Sequence, residues 1–209
     1  NDGKRNRHAK LYDDCPMNSV PRAGISAEAV KGYEMVKSGS SHGLDFSMLM
    51  RAPNNLPSLQ NYYSQITMID EAVGRISKAA PDALIIFTTD HGLSLGHHGF
   101  WGHGGSTYPS NLHLAAHSIP MILSHRDKIY PDKTSPILVS NIDIYATILD
   151  YVGGSADPTL PSRSFAGLLK GQEVADWGDD EVFSEQEETR VIRTPQWAYF
   201  KRYNSDNAP

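Results

Sequence analysis

The feature that most constrains the fold is a short apolar run that leads into a loop rich in histidine and glycine. Residues 83–89 read ALIIFTT, without the polar alternation of a half-exposed strand. This is the pattern of a strand buried on both faces of a parallel sheet. The loop that follows, 90–105, reads DHGLSLGHHGFWGHGG. In open α/β sheets ligands bind beyond the carboxyl ends of the strands, so this loop lies where a functional site is expected.

A long helix is predicted before this strand. Between residues 59 and 76 the apolar side chains recur at three- and four-residue steps, which is the spacing of one helical face. Pro57 suits the first turn of such a helix, and Pro81 marks its end. A shorter helix is predicted at 27–37.

Further elements are predicted on the C-terminal side of the loop. Shorter apolar runs at 119–124 and 136–140 predict two more strands. A helix is then predicted over 142–152, with Ser140 or Asn141 as its N-cap and a pair of glycines as its stop. The order helix, strand, loop, strand, strand, helix is typical of an α/β layer fold.

The character of the chain changes after Gly154. Three stretches, EVFSEQ, TRVIRTP and QWAYFKRY, alternate as antiparallel strands do. We therefore predict an α/β domain over 1–154 and a small antiparallel-sheet subdomain over 155–209.

Composition excludes several classes of partner. A net charge of -5 over 209 residues leaves no basic footprint for nucleic acid. No apolar run approaches the roughly 20 residues that a membrane-spanning helix needs. The single cysteine, Cys15, excludes an internal disulfide framework and a cysteine zinc cluster. The sequence does not fix the oligomeric state.

Asp90 and His91 stand at the most informative position, directly after the apolar run. A carboxylate oxygen beside an imidazole nitrogen supplies two ligands for a divalent cation, and Gly92 lets the chain turn away at once. The alternative is a turn that caps a helix, without any ligand.

The histidines of this region are clustered. Six of the nine histidines fall within 27 residues, among glycines that let the backbone approach a ligand and with imidazoles able to donate to an oxyanion. Some of them are expected only to cap or pack, foremost His113 and His117. The six are His91, His97, His98, His103, His113 and His117.

Several motifs in this order resemble the sulfatase family of the alkaline-phosphatase-like superfamily. That family has a strand ending in Thr-x-Asp-(His or Asn)-Gly, then Leu-Gly-x-His-Gly-x-Trp-x-Lys, a Pro-led strand and an Asp-x-x-x-Thr-x-Leu-Asp helix before a glycine. The counterparts here begin at Thr88, Leu95, Ile119 and Asp143. The resemblance covers roughly residues 55–203.

The resemblance implies a fold, a reaction and a cofactor. The fold is a mostly parallel sheet flanked by helices, present in part, followed by a small antiparallel sheet. The reaction is hydrolysis of a sulfate ester, on a small molecule or a carbohydrate. Asp90 and His91 become ligands of one divalent cation, which in this family is usually calcium and sometimes magnesium or manganese. The resemblance suggests a periplasmic, secreted or lysosomal location, and nothing in the sequence decides between these and the cytoplasm.

One family position is occupied differently in this chain. His103 stands where the family has the lysine that contacts the sulfate and the bridging oxygen. As a catalytic residue it would give a proton to the leaving oxygen, and because imidazole titrates near neutral pH this contribution would depend on pH. His98, His103 and Trp101 are the predicted substrate-binding residues. For Trp101 the alternative is a local plug of the glycine-rich loop.

The family's nucleophile has no counterpart here. It is a formylglycine made from Cys or Ser in a Cys/Ser-x-Pro-x-Arg motif, and Cys15, in CPMNSVPR, does not match that motif. We therefore expect formylglycine upstream of this chain and no turnover by the chain alone. Two alternatives to a sulfatase stay open: a phosphodiester or phosphonate monoester hydrolase of the same superfamily, and a metal-binding fragment without turnover.

Overall fold

The structure, a computed structural model, describes residues 6–21, 56–103, 112–174, 177, 180–186 and 189–203. Two compact units share the chain, one comprising Asn1–Ala80 and His91–Ser118 and the other Pro81–Asp90 and Ile119–Pro209. The predicted helix at 27–37 lies outside the described residues. The predicted boundary after residue 154 stays a prediction.

The first unit is built on helix α1, Leu56–Ala79. Its start and end confirm the helix predicted from the three- and four-residue spacing and from Pro57 and Pro81. A 3₁₀ helix, Ala9–Tyr12, packs against it. The Gln60 side chain of α1 donates to the carbonyls of Asp13 and Cys15, both at 3.1 Å, and so ties the N-terminal segment to the helix.

Within the described residues, the apolar face of α1 is buried near the start of the helix and exposed further along. Leu59 is 3% exposed and lies in the core of the unit, whereas Ile66, Ile69 and Ile76 are 47%, 48% and 60% exposed. The buried residues of this core are Met17, Val20, Leu59 and Trp101, with Tyr12, Cys15, Leu56, Tyr63 and Leu95 packed against them.

The predicted functional loop folds as a short hairpin in this unit. Strands β2, Ser94–Leu95, and β3, Trp101–Gly102, pair antiparallel, and a 3₁₀ turn at His97–Gly99 joins them. Helix α2, Leu114–His117, follows.

The second unit contains the strand that led to the loop. Strand β1, Ile85–Phe87, pairs with β4, Ile122–Ser124, in an antiparallel register that places Ile86 opposite Leu123. The pattern of residues 83–89 predicts a strand buried on both faces with parallel neighbours. In the described residues its one partner is antiparallel and its side chains are half-buried.

The strand predicted at 136–140 does not form. The backbone of this segment pairs with side chains and not with another strand. The N–H of Leu138 donates to Asp180 Oδ1 at 2.7 Å, and the Trp177 indole N–H donates to the Leu138 carbonyl at 2.9 Å. These two side chains therefore take the N–H and the carbonyl of Leu138, the groups that a strand ladder would use.

The remaining elements of the unit follow the predicted order. Helix α3 spans Asp143–Tyr151, and Gly153, two residues beyond its end, adopts a φ of 84°. Helix α4, Ala166–Leu169, is a single turn. Strands β5, Val182–Gln186, β6, Thr189–Arg193, and β7, Ala198–Arg202, form the predicted antiparallel sheet in the order β5-β6-β7. Among the described helices none is long and apolar enough to cross a membrane.

Candidate functional site

Asp90 lies three residues beyond β1, and its carboxylate is exposed. The hydroxyl of Thr89 donates to Asp90 Oδ1 at 3.1 Å. The segment is also held from the start of α3, since the Asn141 side-chain amide donates to the Thr89 carbonyl at 3.0 Å. Thr89 therefore contacts the Asp90 carboxylate directly, and Asn141 holds the main chain at Thr89.

His91 begins the part of the loop that belongs to the first unit. Its Nδ1 lies 2.8 Å from the carbonyl oxygen of Gly92. Because a carbonyl only accepts, Nδ1 carries the proton in this contact, and a neutral ring then has its lone pair on Nε2. This is the tautomer that a metal-binding histidine uses when its other nitrogen is held by a backbone carbonyl.

Gly92 permits the close approach that fixes this turn. Its N–H donates to the Ala116 carbonyl at 2.8 Å. A Cβ at this position would lie 2.3 Å from the Ala115 carbonyl oxygen, a distance that real Cβ atoms do not show. Glycine is therefore required where the loop meets α2.

His103 packs directly on His91. The two exposed rings are stacked, with centroids 3.8 Å apart and an interplanar angle of 19°. The predicted catalytic histidine thus lies against one of the predicted metal ligands, although twelve positions separate them in the sequence.

His98 belongs to a second stacked pair. Its ring lies 4.3 Å from that of His113, at 17°, and His113 in turn lies 5.5 Å from Phe100. His98 adopts a left-handed backbone, with φ 54° and ψ 23°. His97 has a different role, since its Nδ1 accepts from the Leu95 N–H at 3.2 Å within the hairpin.

Trp101 is placed in the core. It is 4% exposed and packs with the buried residues of the first unit. This position favours the local plug over stacking on a substrate.

The donor chemistry of Asp90 and His91 fits a divalent cation, because a carboxylate and an imidazole nitrogen are both suitable ligands. Within the part of the chain that the structure describes, however, no group of three or more His, Cys, Asp or Glu side chains converges on a common point.

Two contributions were not predicted from the sequence. Asn141 is exposed and bonds to the end of the strand, whereas the sequence suggested a helix cap. The start of α3 is instead held by Asp143, whose carboxylate accepts from the N–H groups of Ser140 and Arg163, each at 2.9 Å. A run of polar residues between an apolar stretch and a helix is the signal that could have pointed to both.

The chain resembles solved structures over most of its length. A protein in complex with its substrate, D-glucosamine-2-N,6-O-disulfate, matches with a TM-score of 0.64 and 20% identity, over 82% of this chain and 37% of that one. A phosphonate monoester hydrolase from Silicibacter pomeroyi matches with a TM-score of 0.61 and 19% identity, over 88% and 44%. These likenesses confirm the predicted alkaline-phosphatase-like α/β fold, present in part, with a small C-terminal antiparallel sheet.

Sequence comparison points to the same family. The N-acetylglucosamine-6-O-sulfatase of Bacteroides thetaiotaomicron is 24% identical over 127 residues, which cover 57% of this chain and 22% of that protein. Across the first curated relatives the chain spans only 22% to 32% of their length. The sequence model of the sulfatase family matches residues 5–154, which is most of this chain. The chain belongs to the sulfatase family.

Proposed function

We propose that the protein containing this chain is a hydrolase of sulfate esters. The observation that carries the proposal is the family match over residues 5–154. The loop geometry supports it, since His103 stacks on His91 next to Asp90 in the sequence. One relative is an N-acetylglucosamine-6-O-sulfatase, and one structural neighbour was solved with a sulfated glucosamine as its substrate. Both favour a sulfate ester on a carbohydrate as the substrate class.

Asp90 and His91 hold a divalent cation in this proposal, with calcium as the first choice and magnesium or manganese as alternatives. The oxygen-preferring chemistry of calcium suits the exposed Asp90 carboxylate, and the tautomer of His91 presents a nitrogen lone pair. When bound, the cation would act as a Lewis acid that holds a sulfate oxygen. The described residues supply two of its ligands.

His103 assists the departure of the leaving oxygen. When the bond between sulfur and the bridging oxygen breaks, that oxygen takes a proton from the imidazolium of His103 and leaves as an alcohol. The attacking group would be a hydroxyl of the hydrated formylglycine expected outside this chain, whose oxygen forms the new bond to sulfur as the bond to the leaving oxygen breaks. His98, exposed on the same hairpin, is proposed to contact the sulfated substrate.

A second function is supported by one observation, the structural likeness to a phosphonate monoester hydrolase. A cation site with adjacent imidazoles suits a phosphonate or phosphodiester as well as a sulfate. The two functions are separated by assays of the whole protein against a 6-sulfated glucosamine, an aryl sulfate and a phenyl monoester of a phosphonate. Faster turnover of the phosphonate would contradict the sulfatase proposal.

The metal site is tested with Asp90→Ala in the whole protein. We expect calcium affinity, measured by isothermal titration calorimetry, to fall at least tenfold while the metal-free protein keeps its melting temperature. Asp82→Ala removes another exposed carboxylate of the same unit and should leave affinity unchanged. Equal affinity in wild type and Asp90→Ala would remove Asp90 from the site.

The 209-residue chain provides a separate test of where the nucleophile lies. With calcium and a formylglycine-generating enzyme present, we expect it to show no turnover of an aryl sulfate. Turnover by this chain alone would show that the nucleophile is within it. We expect the isolated chain to behave as a metal-binding fragment without turnover.

A further inference from the structure

The side chain of Asn141 bridges two consecutive residues at the end of the strand segment. Its Nδ2 donates to the Thr89 carbonyl at 3.0 Å, and its Oδ1 accepts from the Thr88 hydroxyl at 3.3 Å. Asn141 lies just before α3, more than 50 positions further along the chain. These contacts all fall within the second unit.

The orientation of the Asn141 amide is determined by the Thr89 carbonyl, which can only accept. A flipped amide would place Oδ1 against the Thr89 carbonyl oxygen, and two acceptors facing each other repel. With Nδ2 on the carbonyl, Oδ1 faces the Thr88 hydroxyl and accepts from it. The three groups therefore act together.

The bridge ends one residue before Asp90. The Thr89 hydroxyl donates to Asp90 Oδ1 at 3.1 Å, so the direction of the carboxylate depends on the position of Thr89. Asn141 holds the carbonyl of that same residue. A chain of hydrogen bonds thus runs from the start of α3 through Thr89 to the carboxylate.

The bridge contributes little to folding. Asn141 is exposed. Water therefore replaces its hydrogen bonds readily when the chain unfolds, so their net effect on stability is small. The main effect of the bridge is to restrict where the strand end places the carboxylate.

We propose that Asn141 is a positioning residue, whose amide fixes the main chain at Thr89 and thereby the direction in which the Asp90 carboxylate meets its cation. This inference rests on the proposed function, in which Asp90 is a metal ligand. Groups that orient metal ligands typically contribute tenfold or more to metal affinity.

The test is the calcium affinity of the whole protein, measured by isothermal titration calorimetry. We expect Asn141→Leu, which keeps the size of the side chain but not its polar atoms, to weaken binding about tenfold. The metal-free melting temperature should fall by less than about 5 °C. Asn141→Gln retains an amide and should recover part of the affinity. Full loss in Asn141→Gln, equal to that in Asn141→Leu, would contradict an amide-specific role.

Thr88→Val provides an independent route to the same amide. It removes the hydroxyl that donates to Oδ1, and we expect a smaller loss of affinity in the same direction. Combined with Asn141→Leu it should add nothing further, because both changes disable one bridge. Fully additive losses would overturn the inference.

Ser162→Ala is the matched control. The Ser162 hydroxyl donates to the Ile142 carbonyl at 2.7 Å and accepts from the Ala146 N–H at 3.0 Å, so it also ties a loop to α3 through two hydrogen bonds. Its loss should leave calcium affinity unchanged. An equal loss in Ser162→Ala would show that any weakening of α3 suffices.

The Asp90→Ala variant separates the two levels of the proposal. If Asp90→Ala weakens calcium binding and Asn141→Leu does not, the positioning role is wrong and the metal site stands. If neither weakens it, the metal site itself is wrong.

Discussion

The ring of His103 lies flat against the ring of His91, with centroids 3.8 Å apart and 19° between their planes. Because β2 and β3 pair antiparallel, the loop folds back on itself. His103, which follows β3, is thereby returned towards the start of the loop. The stack links the group proposed to protonate the leaving oxygen with a group proposed to bind the cation.

The role of His103 is tested by two substitutions in the whole protein. His103→Phe keeps a flat ring for the stack but no proton donor, and we expect kcat/KM on a sulfate ester to fall about 100-fold. His103→Lys restores a donor at this position and should retain much more activity than the phenylalanine variant. His125→Gln removes an imidazole that bonds to Tyr151 in the second unit and serves as the control. Unimpaired turnover by His103→Phe would eliminate His103 as the acid.

The left-handed backbone of His98 predicts how glycine and alanine substitutions there change the free energy of unfolding. At φ 54° a Cβ is unfavourable, so His98→Gly should be more stable than His98→Ala by about 1 kcal/mol. At the neighbouring His97, whose φ is not positive, the order should reverse, because glycine there only adds chain entropy to the unfolded state. Free energies of unfolding from urea titration provide the comparison. A His98→Ala variant as stable as His98→Gly, or more stable, would show that His98 is not strained.

Periodic patterns in the sequence predicted the elements that form between residues close together in the chain. The steps of three and four residues gave α1, because one face of a helix shows that period irrespective of its surroundings. The alternation in the C-terminal stretches gave β5, β6 and β7, since hairpin partners are close in sequence.

Contacts between distant residues were not visible in this way. Residues 136–140 have the composition of a strand, but Asp180 and Trp177, about 40 positions later, take the backbone groups of Leu138. The stacks of the histidine rings likewise depend on how the hairpin closes. The position of Asp90 after the strand was predictable, whereas its support by Asn141 was not, because that bond joins segments more than 50 positions apart.

The hydroxyl of Thr147 in α3 makes a buried contact whose loss should be costly. Thr147 is 1% exposed, and its Oγ1 accepts from the Phe165 N–H at 3.1 Å. Thr147→Val keeps the shape but leaves that N–H unsatisfied, which should cost about 1–3 kcal/mol of folding free energy. Thr147→Ser keeps the acceptor and should cost about 0.8 kcal/mol for the lost methyl group.

Hydrogen exchange at the Phe165 amide distinguishes the two Thr147 variants further. The amide should stay protected in Thr147→Ser and exchange faster in Thr147→Val. Wild-type stability in Thr147→Val would show that another group satisfies the Phe165 N–H.

Glu71 on α1 makes stability depend on pH in the acidic range. Desolvation opposes the charged form, but the nearby Arg7 charge and the hydrogen bonds from His8 and Arg7 outweigh it and lower the pKa of Glu71. The contacts to Glu71 Oε2 are 2.6 Å from Arg7 Nη2 and 2.8 Å from His8 Nε2. A lowered folded-state pKa means that the unfolded chain binds more protons as the pH falls.

The stabilisation from Glu71 should therefore be complete above the ordinary glutamate pKa of about 4.3 and be lost as the pH falls through the lower folded-state value. Unfolding free energies of wild type and Glu71→Gln, measured from pH 7 to pH 3, should differ by a constant amount above about pH 5 and converge below it. In an Arg7→Gln background the convergence should be weaker, because the charge that lowers the pKa is gone. A difference that grows towards low pH would mean that the pKa of Glu71 is raised, with desolvation outweighing the contacts to Arg7 and His8.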